Sequence, residues 1–124
     1  PHTPMPAPIK GFVEQVWEHE LQVGSDDTHR VALIRPDRAL GIEVSWDART
    51  MPNFFEWQNM REGQYGLGLE PSSNHVAGEQ HARDTGELSW LEHGESRDYH
   101  LSVKILHSSE AITDSVQAIT DIPL

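Results

Sequence analysis

Polar and apolar positions alternate along most of this chain, and the period lengthens only near its end. Residues 39–46 alternate most cleanly, with Leu40, Ile42, Val44 and Trp46 on one side and Gly41, Glu43 and Ser45 on the other. A period of two is the mark of a strand with one buried face. Residues 64–71 repeat it: Tyr65, Leu67 and Leu69 are expected to face a core, opposite Gly66, Gly68 and Glu70. Pro71 is expected to close that strand. Residues 54–60 form a short aromatic strand. Arg61, Glu62 and Gly63 join it to 64–71 as a hairpin, with Gly63 suited to positive φ. Residues 28–35 read as a strand with Val31 and Leu33 on one face and His29 in step with them. Residues 12–23 fit neither period well, and Val13, Val16 and Trp17 suit helix or strand; the segment is read as a strand with a bulge. A short strand is expected over 87–91. A long one is expected over 97–106, where Tyr99, Leu101, Val103 and Ile105 alternate with His100, Ser102 and Lys104. Turn clusters separate these runs. After them the pattern turns helical. Ser108 or Ser109 is the expected N-cap, and Ala111, Ile112, Val116 and Ile119 make the apolar stripe. The fold class is therefore all-β: an antiparallel β-sandwich over 11–107, a short C-terminal helix and tail over 108–124, and an extended connection over 1–10.

Composition narrows the partners. The 124 residues suit one domain or part of one, able to bury about two-thirds of the unfolded surface. Acidic residues number 20 against 9 basic, a formal charge of -11, which repels phosphates and so argues against nucleic acid and anionic membranes. Neutral polar ligands, sugars above all, remain compatible. The chain has no cysteine, hence no disulfide framework and no thiolate chemistry. It shows no apolar run of transmembrane length and no signal-peptide pattern, so a cytoplasmic setting is expected. Pro1, Pro4, Pro6 and Pro8 resemble a linker, and the chain is expected to have lost its true beginning. The limited apolar content leads us to expect a partner, either an N-terminal segment or a second copy.

Candidate chemistry centres on Glu70. Glycine inside a strand marks close approach to the backbone, so Gly66 and Gly68 predict a shallow shelf ending in a carboxylate. Partly desolvated beside Trp57 or Tyr65, Glu70 would become a better proton acceptor. It could equally end an edge strand in solvent. An acid to work with it would have to come from His75 or His81, in the polar stretch 72–86 that is expected to be a long loop; spacing places neither. Eight histidines raise the question of a metal, but none shows the one-turn helical spacing of a zinc site and no metal is expected. No strand-turn-helix carries a serine between glycines, and no helix follows Gly66 and Gly68 to cradle phosphate. Trp57 and Trp46 could stack on a pyranose face, or could be core.

The run Gly66, Leu67, Gly68, Leu69, Glu70, Pro71, a polar loop, then Leu91, Glu92, His93, Gly94, Glu95, Ser96 and a closing strand resembles the C-terminal end of galactose mutarotases and aldose 1-epimerases. A largely uncharacterised branch of that superfamily is more similar still, through residues 55–60, the Gly-Leu-Glu-Pro strand, Asn74 and Gly78. The resemblance covers about residues 12–106 and implies the C-terminal portion of an antiparallel β-supersandwich more than twice as long. It implies interconversion of sugar anomers with Glu70 as the catalytic base and no cofactor. Trp57 would wall the sugar. Gln58, Arg61, Asn74 and His75 would contact it, Arg61 alternatively holding the carboxylate of a sugar acid. The family's catalytic histidine lies upstream and has no counterpart here, and Ser72, Ser73, Asn74 and His75 stand where its His-Pro-Asp loop would be. A non-catalytic carbohydrate-binding sandwich, or a structural half-domain, is the alternative.

Overall fold

A computed structural model of the protein describes residues 5–122; residues 1–4 of the expected N-terminal connection, and 123 and 124 of the tail, lie outside it. The described elements are β1 (Gln15–Glu18), β2 (Thr28–Ile34), β3 (Gly41–Asp47), β4 (Asn53–Asn59), β5 (Gly66–Ser72), α1 (Glu79–Thr85), β6 (Leu101–Leu106) and α2 (Ser109–Thr120). They form two antiparallel three-stranded sheets, β1-β4-β5 and β2-β3-β6, with α2 against the second. This is the expected antiparallel sandwich with a C-terminal helix.

The core lies where the inner faces of the two sheets meet. Val44, Trp46, Met51 and Phe54 are buried there, with Leu21, Val31, Ile42 and Leu69 packed around them. Trp46 and Phe54 stack with centroids 5.3 Å apart, and Trp46 Nε1 donates to the Met51 carbonyl at 2.9 Å. Burying an indole requires such a partner for its N–H. Trp46 is thus core, which removes it as a platform for a sugar. His29 is buried too. Its ring lies 5.6 Å from Trp46, and Nδ1 is 3.1 Å from the Gln22 carbonyl. On β6 the same inner face is open: Leu101, Val103 and Ile105 are all more than half exposed.

The other face of β3 is covered by α2. Ser108 caps the helix by accepting from the Ala111 N–H at 3.1 Å. Ile112 and Ser115 are buried on its inner stripe. Ser115 interrupts that stripe because Glu43 meets it: Ser115 Oγ donates to Glu43 Oε2 at 2.5 Å. Arg30 Nη1 lies 3.5 Å from Glu43 Oε1 and also pairs with Asp26. Glu43 is 7% exposed, and a buried carboxylate persists only with such partners. At the end of β3, Asp47 accepts from the Arg49 N–H at 2.9 Å and from Arg49 Nη2 at 2.9 Å. The Arg49 side chain is the main reason its carboxyl is lowered to about 2.

Five expectations are corrected. The 12–23 strand shrinks to Gln15–Glu18, which pairs with Phe55–Gln58 of β4; Val13 is 77% exposed and Leu40, ahead of β3, is exposed as well. Pro71 does not close β5. It pairs opposite Phe54 inside the strand, where an edge position tolerates a residue without an N–H. No strand forms over 87–91, because the N–H groups of Glu87 and Leu88 turn back to the Ala82 carbonyl to end α1. β6 starts only at Leu101, opposite Trp46, where its partner β3 is about to end. Finally, the expected 72–86 loop contains α1. It buries no residue and is held locally by Arg83 on Glu79, by Gln80 on Asp84 at 3.0 Å, and by a left-handed C-cap at Gly86 with φ 77°.

Candidate functional site

Strand parity divides β4 between two surfaces. Phe54, Glu56 and Gln58 point inward, opposite Pro71, Leu69 and Leu67. Phe55, Trp57 and Asn59 point outward, opposite Glu70, Gly68 and Gly66. β1 extends the outer face with Glu18 beside Phe55 and Val16 beside Trp57. One row across three strands is therefore Glu18, Phe55, Glu70, and the next is Val16, Trp57, Gly68.

The glycines of β5 are a floor for side chains. A Cβ at Gly68 would come within 2.5 Å of Glu70 Oε1 and 3.2 Å of Trp57 Cβ, and one at Gly66 within 3.4 Å of Trp57 Cζ3. Trp57 and the Glu70 carboxylate thus lie flat over the two glycines, and the expected side-chain-free shelf is occupied. Trp57 Nε1 donates to Glu14 Oε2 at 3.2 Å. Glu70 is exposed, so the described chain does not supply the expected desolvation. Tyr65 is also away from it: 47% exposed, it donates its hydroxyl to the Pro6 carbonyl at 2.6 Å.

His75 joins this face from the loop after β5. Its Nδ1 is 2.9 Å from Glu18 Oε1, and its ring stands edge-on to Phe55 at 6.4 Å. Phe55 is 1% exposed beneath it. Asn74 supports the same turn. Its N–H donates to Ser72 Oγ at 3.2 Å and its Nδ2 to the His75 carbonyl at 3.0 Å. Two clefts open beside His75. One of about 250 Å³ is lined by Asn53, Asn74, His75, His81 and Glu87 among others; its neighbour, about 340 Å³, is lined by Glu18, His75, His81 and Glu87 among others. Among the described residues no three histidine or carboxylate side chains converge as a metal-ligand set.

The structure therefore brings Glu70, Trp57 and His75 to one face, with Asn74 at its margin. Gln58 lies on the inner face, where Nε2 donates to Glu56 Oε1 at 2.6 Å. Arg61 follows the far end of β4, bridged to Ile9; that is about 20 Å along the strand from Phe55 at ~3.3 Å per residue. Neither shares the surface around Glu70. Glu18 and Glu87 went unnoticed in the sequence. Glu18 becomes visible only through β1–β4 pairing, a contact between segments far apart in the chain.

Comparison with known proteins follows the same lines. No curated protein sequence matches the chain. Among solved structures, the crystal structure of a Klebsiella pneumoniae protein provisionally named an aldose 1-epimerase is similar over 94% of this chain, with a TM-score of 0.83 and 24% identity. The chain spans 31% of that protein's length. The resemblance to an aldose 1-epimerase-like protein thus holds at the level of the fold. The family profile described as a domain of unknown function, DUF4432, matches residues 2–105, and the chain belongs to that family.

Proposed function

We propose that this chain carries part of a sugar site on the outer face of β4 and β5, and that Glu70 there is the base of an aldose 1-epimerase-like exchange of anomers. The observation that supports this most is the pairing of an indole and a carboxylate, Trp57 and Glu70, over a floor of two glycines. A pyranose needs a flat apolar surface for its C–H face and a carboxylate within hydrogen-bond reach of the anomeric hydroxyl. Trp57 would provide the first and Glu70 the second, with Asn74 and His75 at the margin for hydroxyls. Gln58 and Arg61 have no part in this reading.

The test is anomeric exchange of common aldoses and their sugar acids, followed by NMR. Glu70→Gln preserves shape and removes the base. Exchange is expected to fall by about 10²- to 10⁴-fold, with sugar affinity within about tenfold of wild type. Retained exchange in the variant would remove Glu70 from the mechanism. The exposure of Glu70 favours a second reading, a carbohydrate-binding surface without catalysis. In that case wild-type protein binds sugar, shows no exchange, and loses affinity with Glu70→Gln.

A further inference from the structure

We propose that the open edge of β2 seats a strand from an upstream part of the same polypeptide, which widens the β2-β3-β6 sheet. A cleft of about 330 Å³ runs beside β2, and all of residues 30–34 line it. Side chains alternate along a strand. Val31 and Leu33 therefore belong to the inner face, and Arg30, Ala32 and Ile34 to the face under α2. A cleft that touches both sets follows the margin of the strand and not one of its faces. The backbone at that margin is unpaired. The Arg35 N–H donates to the Leu40 carbonyl at 2.9 Å, and the register runs unbroken from there to Thr28 opposite Asp47. Bonded and non-bonded pairs alternate in an antiparallel ladder. Val31 and Leu33 thus turn their N–H and C=O groups toward β3, and Arg30, Ala32 and Ile34 turn theirs into the cleft. Among the described residues no strand lies on that side and no backbone group meets them.

The walls of the cleft restrict the occupant. Val116 and Ile119 of α2 line it, and so do Leu67 and Leu69 of β5 from the other sheet. A strand laid along β2 would have apolar neighbours on both faces. Strands covered on both faces are continuous apolar runs, here about five residues long to match 30–34. The described strands are already placed in the two sheets, so the run comes from elsewhere. Met5, where the described residues begin, lines the same cleft, and a segment upstream of it needs only a short connection to enter. The chain also spans only 31% of the length of a protein with the same fold. A second copy is disfavoured, because each copy would bring a formal charge of -11 to the contact.

The experiment follows amide hydrogen exchange and cross-strand backbone contacts by NMR in the full-length natural polypeptide. The amides of Ala32 and Ile34 are expected to exchange at least about 100-fold more slowly than in an unstructured chain, as those of Val31 and Leu33 do through β3. Both should show cross-strand contacts to a segment upstream of residue 1. Ala32→Pro removes one N–H that faces the cleft and spares the ladder to β3. It is expected to lower the melting temperature by a few degrees and to speed exchange at Ile34, while Val31 and Leu33 stay slow. Should that variant fail to fold, the wild-type exchange pattern still decides. Fast exchange at Ala32 and Ile34 beside slow exchange at Val31 and Leu33 overturns the proposal. So does a natural polypeptide no longer than this chain, and so do cross-strand contacts from β2 to a second copy.

Discussion

Glu43 and Glu70 begin from the same local pattern and end in opposite environments. Each sits on an alternating strand, on the side away from the inter-sheet core. Glu43 lies under α2, bonded to Ser115 and 3.5 Å from Arg30. Glu70 lies in the open, folded over Gly68 beside Trp57. What separates them is what the chain lays over each face afterwards. β3 receives an amphipathic helix more than sixty residues later. β5 receives only the loop that carries His75. A buried carboxylate with fixed partners works for the fold, and an exposed one over a glycine floor is free to meet a ligand.

The comparison can be broken from its buried side first. Glu43→Ala leaves the Ser115 hydroxyl and one side of Arg30 without their partner under the helix. A loss of about 2–4 kcal/mol is expected, read as a lower urea midpoint at unchanged slope. A variant as stable as wild type would mean that α2 docks through Ile112 and Val116 alone. Gly68→Ala tests the exposed side. The new methyl would collide with the far end of Glu70 and crowd Trp57 Cβ. A flexible carboxylate yields, so stability should change by less than about 1 kcal/mol, while exchange or sugar affinity falls roughly tenfold. Equal losses in stability and function would show that the glycine serves packing only.

The smallest effect belongs to Asp47, a carboxylate that is neither buried nor near the outer face. Its carboxyl is lowered to about 2, chiefly by the Arg49 side chain and backbone N–H. A depressed acid stabilises the fold above its ordinary value and loses that contribution as pH falls through its folded value. The contribution should therefore fade between about pH 4 and pH 2, near the ordinary and folded values. In Arg49→Ala the Asp47 titration should move upward in a carboxyl-detected NMR series, with only a slight change in stability.

Much of this was legible in the alternation. β2, β3, β4 and β5 fall within two residues of their expected ends, because turn residues bound each run and an alternating apolar set writes its period into the chain even where, as on β3 and β4, both faces become covered. Ser108 and the Ile112 stripe marked α2 for the same reason. α1 left no such trace, since a helix that buries nothing has no stripe; Gly78, Gly86 and the Glu79–Arg83 pair were its only signals. Residues 87–91 and 97–100 were expected in strands, but a strand also needs a partner: β3 ends at Asp47, whose N–H meets the His100 carbonyl at 3.4 Å, and none of the described strands pairs with the residues before it. For the site, parity alone separates Trp57 from Gln58 along β4, but which of the two shares the face of Glu70 depended on the β4–β5 register, which the expected 61–63 turn places one residue off. It could not supply Glu18 at His75, because that contact depends on how β1 pairs and how the loop after β5 folds back.

The open inner face of β6 has a consequence for handling the protein. Among the described residues β6 ends its sheet, so one side of its backbone has no ladder there, and Leu101, Val103 and Ile105 offer an apolar row beside it. Such an edge is a template for another strand. Concentrated solutions of the isolated chain should therefore form intermolecular β-structure through this margin. A lysine at Val103, on the exposed row, would act as a gatekeeper and raise solubility without touching Trp57 or Glu70 on the far sheet.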